Sequence, residues 1–321
     1  MKRRRGGQRG AALLVAMIVL TLVGTLAAGM IWQQSQAIGV ESAERTRAQT
    51  AWILGGALNL GRVLLRLDAR TPGVDHNDEI WARTLQEASL SSLLAQDRNN
   101  NVEGAPEAFL SGRVRDAQER YNLRNLVDPA TRKVVPAELE ALARLCDTAG
   151  VPGQTAQTLA SSLQAAWQVE NPAEGEDLGA AAATATLAPQ TVDQLAWLGI
   201  DAESIRRLQP YVDLLPEPTP LNLNTAAPEV MAGVIAGLDI ATAKRIESRR
   251  PFKTLQAVAE AVPGLGTLDP KRLGVGSNYF EISGTLRMDR RVIEERQLVK
   301  RDNRQVRQLA RWRQAVLPVA P

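Results

Sequence analysis

The hydrophobic pattern begins with an unbroken apolar run: from Ala11 to Trp32 no residue carries a charge. Roughly 20 such residues cross a ~30 Å hydrocarbon core, so the run predicts a membrane span. No proline stands between Ala11 and Arg70, and Ile38, Val40, Ile53, Leu54, Leu58, Leu64 and Leu65 continue a broken apolar stripe beyond Trp32. The helix is therefore expected to run on as a stalk, about 55 residues and ~80 Å long in all. Thr71-Pro72-Gly73-Val74-Asp75 is a turn signal that ends it, and short helical or extended pieces are expected up to Val114. Between Pro136 and Ile282 the apolar positions fall at helical spacing: Leu139, Leu142, Leu145 and Cys146; Leu159, Leu163 and Trp167; Val192, Leu195 and Leu198; Ile205 and Leu208. Pro129, Pro136, Pro152, Pro172, Pro189 and Pro210 punctuate this region, which predicts short helices with brief connections. After Gly276 the pattern becomes strand-like over Tyr279–Leu286, Arg291–Lys300 and Gln305–Arg313, with a hairpin turn expected at Asp302-Asn303.

Composition sharpens this outline. Apolar residues make up 45% and aromatics only 4%, so the core must be built mainly from Leu, Val, Ile and Ala, which favours helical packing. The net charge of +3 is unevenly spread. Lys2, Arg3, Arg4, Arg5 and Arg9 precede the apolar run, and the positive-inside bias then puts the N-terminus in the cytoplasm and the bulk of the chain in the periplasm. The second basic stretch, Arg287 to Arg313, alternates with Val, Leu and Trp312, the pattern of a sheet with one solvated face rather than a nucleic-acid surface.

Little in the sequence points to catalysis. A single cysteine, Cys146, excludes an internal disulfide and reads as a small buried hydrophobe. The lone histidine, His76, lies in Asp75-His76-Asn77-Asp78, read as a solvated loop, so multi-His zinc sites are ruled out and the loop reading argues against a His-based triad. No phosphate-binding glycine loop occurs, and the run Asp97 to Asn101 lacks the glycine and closing carboxylate of a calcium loop. Carboxylate pairs are the one catalytic arrangement left open, and the chain reads as a non-enzyme.

Three readings compete for the N-terminal segment: a secretory signal cut near Ala27-Ala28, an uncut anchor, and a leader cut between Gly10 and Ala11. A secretory signal has a shorter apolar region with small residues after it, whereas here Gly10 stands before the run. The junction resembles a prepilin leader, which implies cleavage by a prepilin peptidase after Gly10, N-terminal methylation, and retention of the apolar helix on the mature chain. In major filament subunits of that kind the fifth mature residue is glutamate; here it is Val15. A carboxylate in lipid is costly without a partner charge, so a subunit that does not join onto a predecessor has reason to lack it.

The stretch Leu221-Asn222-Leu223-Asn224-Thr225-Ala226, Val230 to Leu238, Ala243 to Ile246 and Val262 to Gly266 resembles tandem helix-hairpin-helix units, which in DNA-binding proteins present backbone N–H groups to phosphate. A membrane-anchored DNA-binding protein of an uptake system is thus one reading. Against it, Asp239 occupies the place of the second turn glycine in Ala236-Gly237-Leu238-Asp239, where a carboxylate repels phosphate.

The same stretch, taken with Gly10, the non-acidic Val15, Tyr121-Asn122-Leu123-Arg124-Asn125-Leu126-Val127 and the closing strands, resembles the type II secretion system protein K family over nearly the whole chain. The resemblance implies an α+β fold: a pilin-like long N-terminal helix and small antiparallel sheet, interrupted by a large all-helical insertion of SAM-like, helix-hairpin-helix-like character. Its expected layout is a leader at 1–10, the membrane helix and stalk at 11–70, a pilin-like core at 71–126 and 275–321, and the insertion at 127–274, with the second helix-hairpin-helix-like unit at 221–274. It implies a minor pseudopilin at the tip of a periplasmic pseudopilus, anchored in the bacterial inner membrane. Its implied partners are the other minor pseudopilins (types I, J and H), with no nucleic acid. No cofactor is expected; family members often carry calcium in an Asp-rich loop, for which the matching donors here are Glu170, Asn171, Glu176 and Asp177. Ala166 and Val169 stand where aspartates belong, so weak binding or none is expected.

Overall fold

The structure, a computed structural model, describes residues 9–70, 74–94, 108–170, 187–262, 266, 268–288 and 291–316. Its first element is one helix, α1 (Arg9–Asp68), 60 residues long. Neither charge nor proline interrupts residues 11–32, and side chains there, such as Leu20 and Ile31, are exposed. The few hydroxyls there are satisfied within the helix: Thr21 Oγ1 donates to the Ile18 carbonyl and Thr25 Oγ1 to that of Leu22, each at 2.9 Å. Such bonds are what lipid demands of a polar side chain.

The chain divides into two units, Met1–Gly56 and Ala57–Pro321. In the second, a five-stranded antiparallel sheet has the order β1-β2-β7-β8-β9, formed by β1 (Leu85–Ser89), β2 (Ala108–Asp116), β7 (Tyr279–Met288), β8 (Arg291–Asp302) and β9 (Gln305–Val316). A short helix, α2 (Leu90–Leu94), follows β1. One face of the sheet packs on the last turns of α1: Leu58 and Leu65 share a core with Trp81, Val114, Phe280, Ile282 and Val299. Close approach depends on Gly61, where an added Cβ would lie 2.7 Å from Ile282 Cγ2. The Trp81 and Phe280 rings meet edge to face, centroids 5.1 Å apart.

Between β2 and β7 the chain builds a helical body from α3 (Pro136–Ala149), α4 (Gln154–Glu170), α5 (Ala202–Leu208), α6 (Pro228–Val234), α7 (Ile240–Glu247) and α8 (Leu255–Ala261). The leucines read from helical spacing converge as expected: Leu142, Leu145, Leu159, Leu163, Leu195 and Leu208 are all fully buried. Gly233 lets α6 lie against Leu145 of α3, since an added Cβ would fall 2.3 Å from Leu145 Cδ2. The body is not wholly helical, however. Two parallel pairs of two-residue strands tie its loops, β3 (Tyr121–Asn122) to β4 (Val212–Asp213) and β5 (Leu221–Asn222) to β6 (Leu273–Gly274). Its apolar core runs from Tyr121 to Leu273.

Two local expectations shift. The β8–β9 turn is Asn303-Arg304, with Asp302 paired to Gln305, because Asn303 takes the left-handed conformation (φ 53°) that asparagine tolerates well. Asp75, expected in a solvated loop, is 4% exposed, because Arg301 and Ser277 supply partners from the far end of the sequence.

Candidate functional site

The expected processing and filament positions lie on α1. Gly10 and Ala11 are in its first turns, although their side chains lie outside the described residues, and Val15 is exposed on an uncharged helix surface.

The asparagine blocks noted in the sequence form buried ties where the sheet joins the helical body. Asn122 accepts from the Arg124 and Leu215 N–H groups and donates to the Glu217 carbonyl. Asn125 exchanges two bonds, both 2.9 Å, with the backbone of Thr219. Asn224 accepts from Phe252 N–H and donates to the Phe252 and Val275 carbonyls. These three side chains hold the proline-rich Pro216–Pro220 connection and the loop before α8, segments with no regular ladder of their own.

At the centre lies Asp116, the last residue of β2. Ser277 Oγ and Thr225 Oγ1 each donate to its Oδ2 at 2.6 Å, Asn222 Nδ2 lies at 2.8 Å, and Gln118 N–H caps Oδ1 at 2.8 Å. Burial raises its pKa to about 6 against the opposing pull of these donors. Asn222 also reaches the Asp75 carbonyl, and Ser277 N–H donates to Asp75 Oδ2 at 2.7 Å. Arg301, on the end of β8, closes the network with Nη2 2.5 Å from Asp75 and Nη1 2.6 Å from Asp68.

A second clamp crosses the same junction. Arg115 Nη2 lies 2.8 Å from Asp213 of the helical body and 3.4 Å from Glu281 of β7. Burial alone would lower its pKa, but Asp213, Glu281 and Glu119 hold it above the ordinary value.

Chemistry suited to catalysis does not assemble among the described residues. The carboxylates of Asp68, Asp75 and Glu79 come within 4.8 Å of one another, but Arg301 answers the first two and Trp81 Nε1 donates to Glu79 at 2.6 Å. Cys146 is fully buried, and burial pushes its thiol up to about 11, where it stays protonated and inert. Of the calcium donors, Glu170 ends α4 with its side chain exposed, while Asn171, Glu176 and Asp177 lie outside the described residues.

In the helix-hairpin-helix-like unit, Gly237 takes the left-handed conformation (φ 76°) expected of the turn, and Asp239 caps α7 by accepting from Thr242 N–H at 2.6 Å. The helix terminus that would hold a phosphate already holds its own carboxylate.

An antiparallel sheet on a long N-terminal helix, carrying a helical body between neighbouring strands, is a pilin-type α+β fold. The same fold is seen in a chain of the GspK-GspI-GspJ complex from the enterotoxigenic Escherichia coli type 2 secretion system, at a TM-score of 0.62 and 21% identity, covering 85% of this chain and 98% of that one. Residues 119–217 and 221–276 each match a domain described as type II secretion system protein K. Over 96% of its length this chain is 30% identical to 93% of the type II secretion system protein K of Pseudomonas aeruginosa. The Aeromonas hydrophila protein is 28% identical, over 87% of this chain and 88% of its own. The chain belongs to the type II secretion system protein K family.

Proposed function

We propose that this minor pseudopilin is cut after Gly10, anchored in the inner membrane with its basic N-terminus in the cytoplasm and its folded region in the periplasm, and placed at the tip of the pseudopilus, where it helps start assembly for the export of folded proteins. The observation that carries the reading is the joining of one uncharged membrane-length helix to a pilin-type sheet that bears a large helical body. A body of that bulk obstructs stacking within a helical array and is accommodated at its end. Val15, with no carboxylate to seek a preceding subunit, fits the same place.

The partners are the other minor pseudopilins, types I, J and H, with prepilin peptidase acting first; the solved relative comes from an assembly of GspK, GspI and GspJ. The role is structural, without catalysis or a required cofactor. The DNA-binding alternative loses support from Asp239, which fills the helix terminus that phosphate would need.

Mass spectrometry of the native chain tests the processing step: the mature protein should begin at a methylated Ala11, and a start at Met1 or near Gly29 overturns it. A reporter active only in the periplasm, fused after Val316, should be active; inactivity rejects the orientation. Retention of DNA at low salt by the detergent-solubilised chain would revive the alternative.

A further inference from the structure

The strand β9 is an edge. It runs for 12 residues, and among the described residues no strand pairs with its outer side. A row of unpaired backbone donors and acceptors is a template for another strand. Its two faces differ sharply. On the face toward α1, Arg311 and Arg313 both pair with the buried Glu295. Arg62 of α1 is near enough to Arg311 and Arg66 for both to lower its pKa, behind the larger effect of burial. Two guanidinium groups thus answer one carboxylate, with Arg62 close behind Arg311. On the opposite face, Leu309, Ala310 and Trp312 line a groove of about 360 Å³ whose far wall includes Leu214 and Pro216 of the helical body. Leu309 is 43% and Trp312 36% exposed.

We infer that the outer edge of β9 is a docking site for an extended segment of a partner protein in which acidic side chains alternate with apolar ones. Such a strand continues the sheet by main-chain hydrogen bonds. Its alternate side chains point to opposite faces, so the acidic set meets the arginines while the apolar set enters the groove. The charge on β9 itself selects the occupant: it holds Arg307, Arg311 and Arg313 and no acidic residue, so two copies of this edge repel each other and an acidic strand is drawn in. The inference stands apart from tip placement and from processing at Gly10.

The test uses the full-length chain in detergent micelles and the synthetic peptide acetyl-(Val-Glu)5-amide, with acetyl-(Val-Lys)5-amide as the control. Hydrogen exchange read by mass spectrometry should slow at least fivefold across 305–316 with the glutamate peptide, remain unchanged at β1, and not respond to the lysine peptide. Arg311→Glu with Arg313→Glu should abolish the protection. Because those arginines also hold Glu295, Trp312→Asp on the groove face serves as a second variant that leaves the ion pairs intact, and it should weaken binding at least tenfold. Equal response to both peptides, equal protection of both sheet edges, or no protection overturns the inference. So does slow exchange, without peptide, of the β9 amides that point away from β8, which means a second copy covers the edge if it depends on concentration and the chain's own residues cover it if it does not.

Discussion

Arg301 at the end of β8 reaches back 226 positions to Asp75, its Nη2 2.5 Å from the carboxylate, and Nη1 of the same guanidinium lies 2.6 Å from Asp68 at the end of α1. One side chain therefore fastens the last turn of the helix, the loop after it and the penultimate strand. Its ring-facing side also lies 4.7 Å over Phe280 in the sheet core.

Arg301→Ala should leave two largely buried carboxylates facing each other beside Glu79. Removing one partner of a buried ion pair costs about 3–5 kcal/mol, and the loss should appear as a lower urea midpoint with an unchanged slope. Asp75→Asn in the same chain should recover part of it by removing the stranded charge; a double variant no more stable than Arg301→Ala would show that the charge is not what matters.

Asp116 gives a pH dependence of definite sign. Its pKa is raised by burial from the ordinary 3.8 to about 6, so the folded state holds the proton more tightly than the unfolded chain. The contribution is full below about pH 4 and lost as pH rises through about 6, a swing of ~3 kcal/mol. The stability of the native chain relative to Asp116→Asn should fall by that order between pH 4 and 7. A constant difference across that range refutes the assignment.

Gly61→Val should destabilise by about 1–3 kcal/mol, because the new Cβ would lie 2.7 Å from Ile282 and 3.3 Å from Val114. Gly55→Ala, with nothing within 4 Å, should be neutral or stabilise by up to ~1 kcal/mol through helix propensity. Thermal melts of the two variants in the same detergent compare them directly.

Chelation should change little. Calcium requires six or more oxygen ligands, and with Ala166 and Val169 where aspartates are expected, Glu170, Glu174, Glu176 and Asp177 are the only carboxylates between Trp167 and Asp177. Adding EDTA should shift the melting temperature by less than about 1 °C, whereas a structural calcium bound well above its Kd would stabilise by several times RT.

The elements legible in the sequence were those with long, regular patterns. Twenty-two uncharged residues without proline announce α1, and alternation announces β7, β8 and β9. The short strands β3 to β6 went unseen because two residues display no period. Asp75 was read as solvated because its neighbours are polar, and nothing near it in sequence reveals Arg301. The asparagine blocks were visible as a family resemblance, yet their work, binding loops whose backbones have no ladder partner, depends on Thr219, Phe252 and Val275 arriving from elsewhere. The need for glycine at 61 and 233 was not legible, because it is set by Ile282 and Leu145, which lie against them from elsewhere in the chain.

The register of β2 with β7 continues to Asp116 opposite Phe280, the two points where the chain departs for the helical body and returns from it. Departure and return are thus side by side on adjacent strands, and a tight hairpin at that spot would close the sheet with every other pairing retained. A body of well over a hundred residues is topologically a single overgrown loop, free to be enlarged, trimmed or exchanged while strand order and the mounting on the helix stay the same.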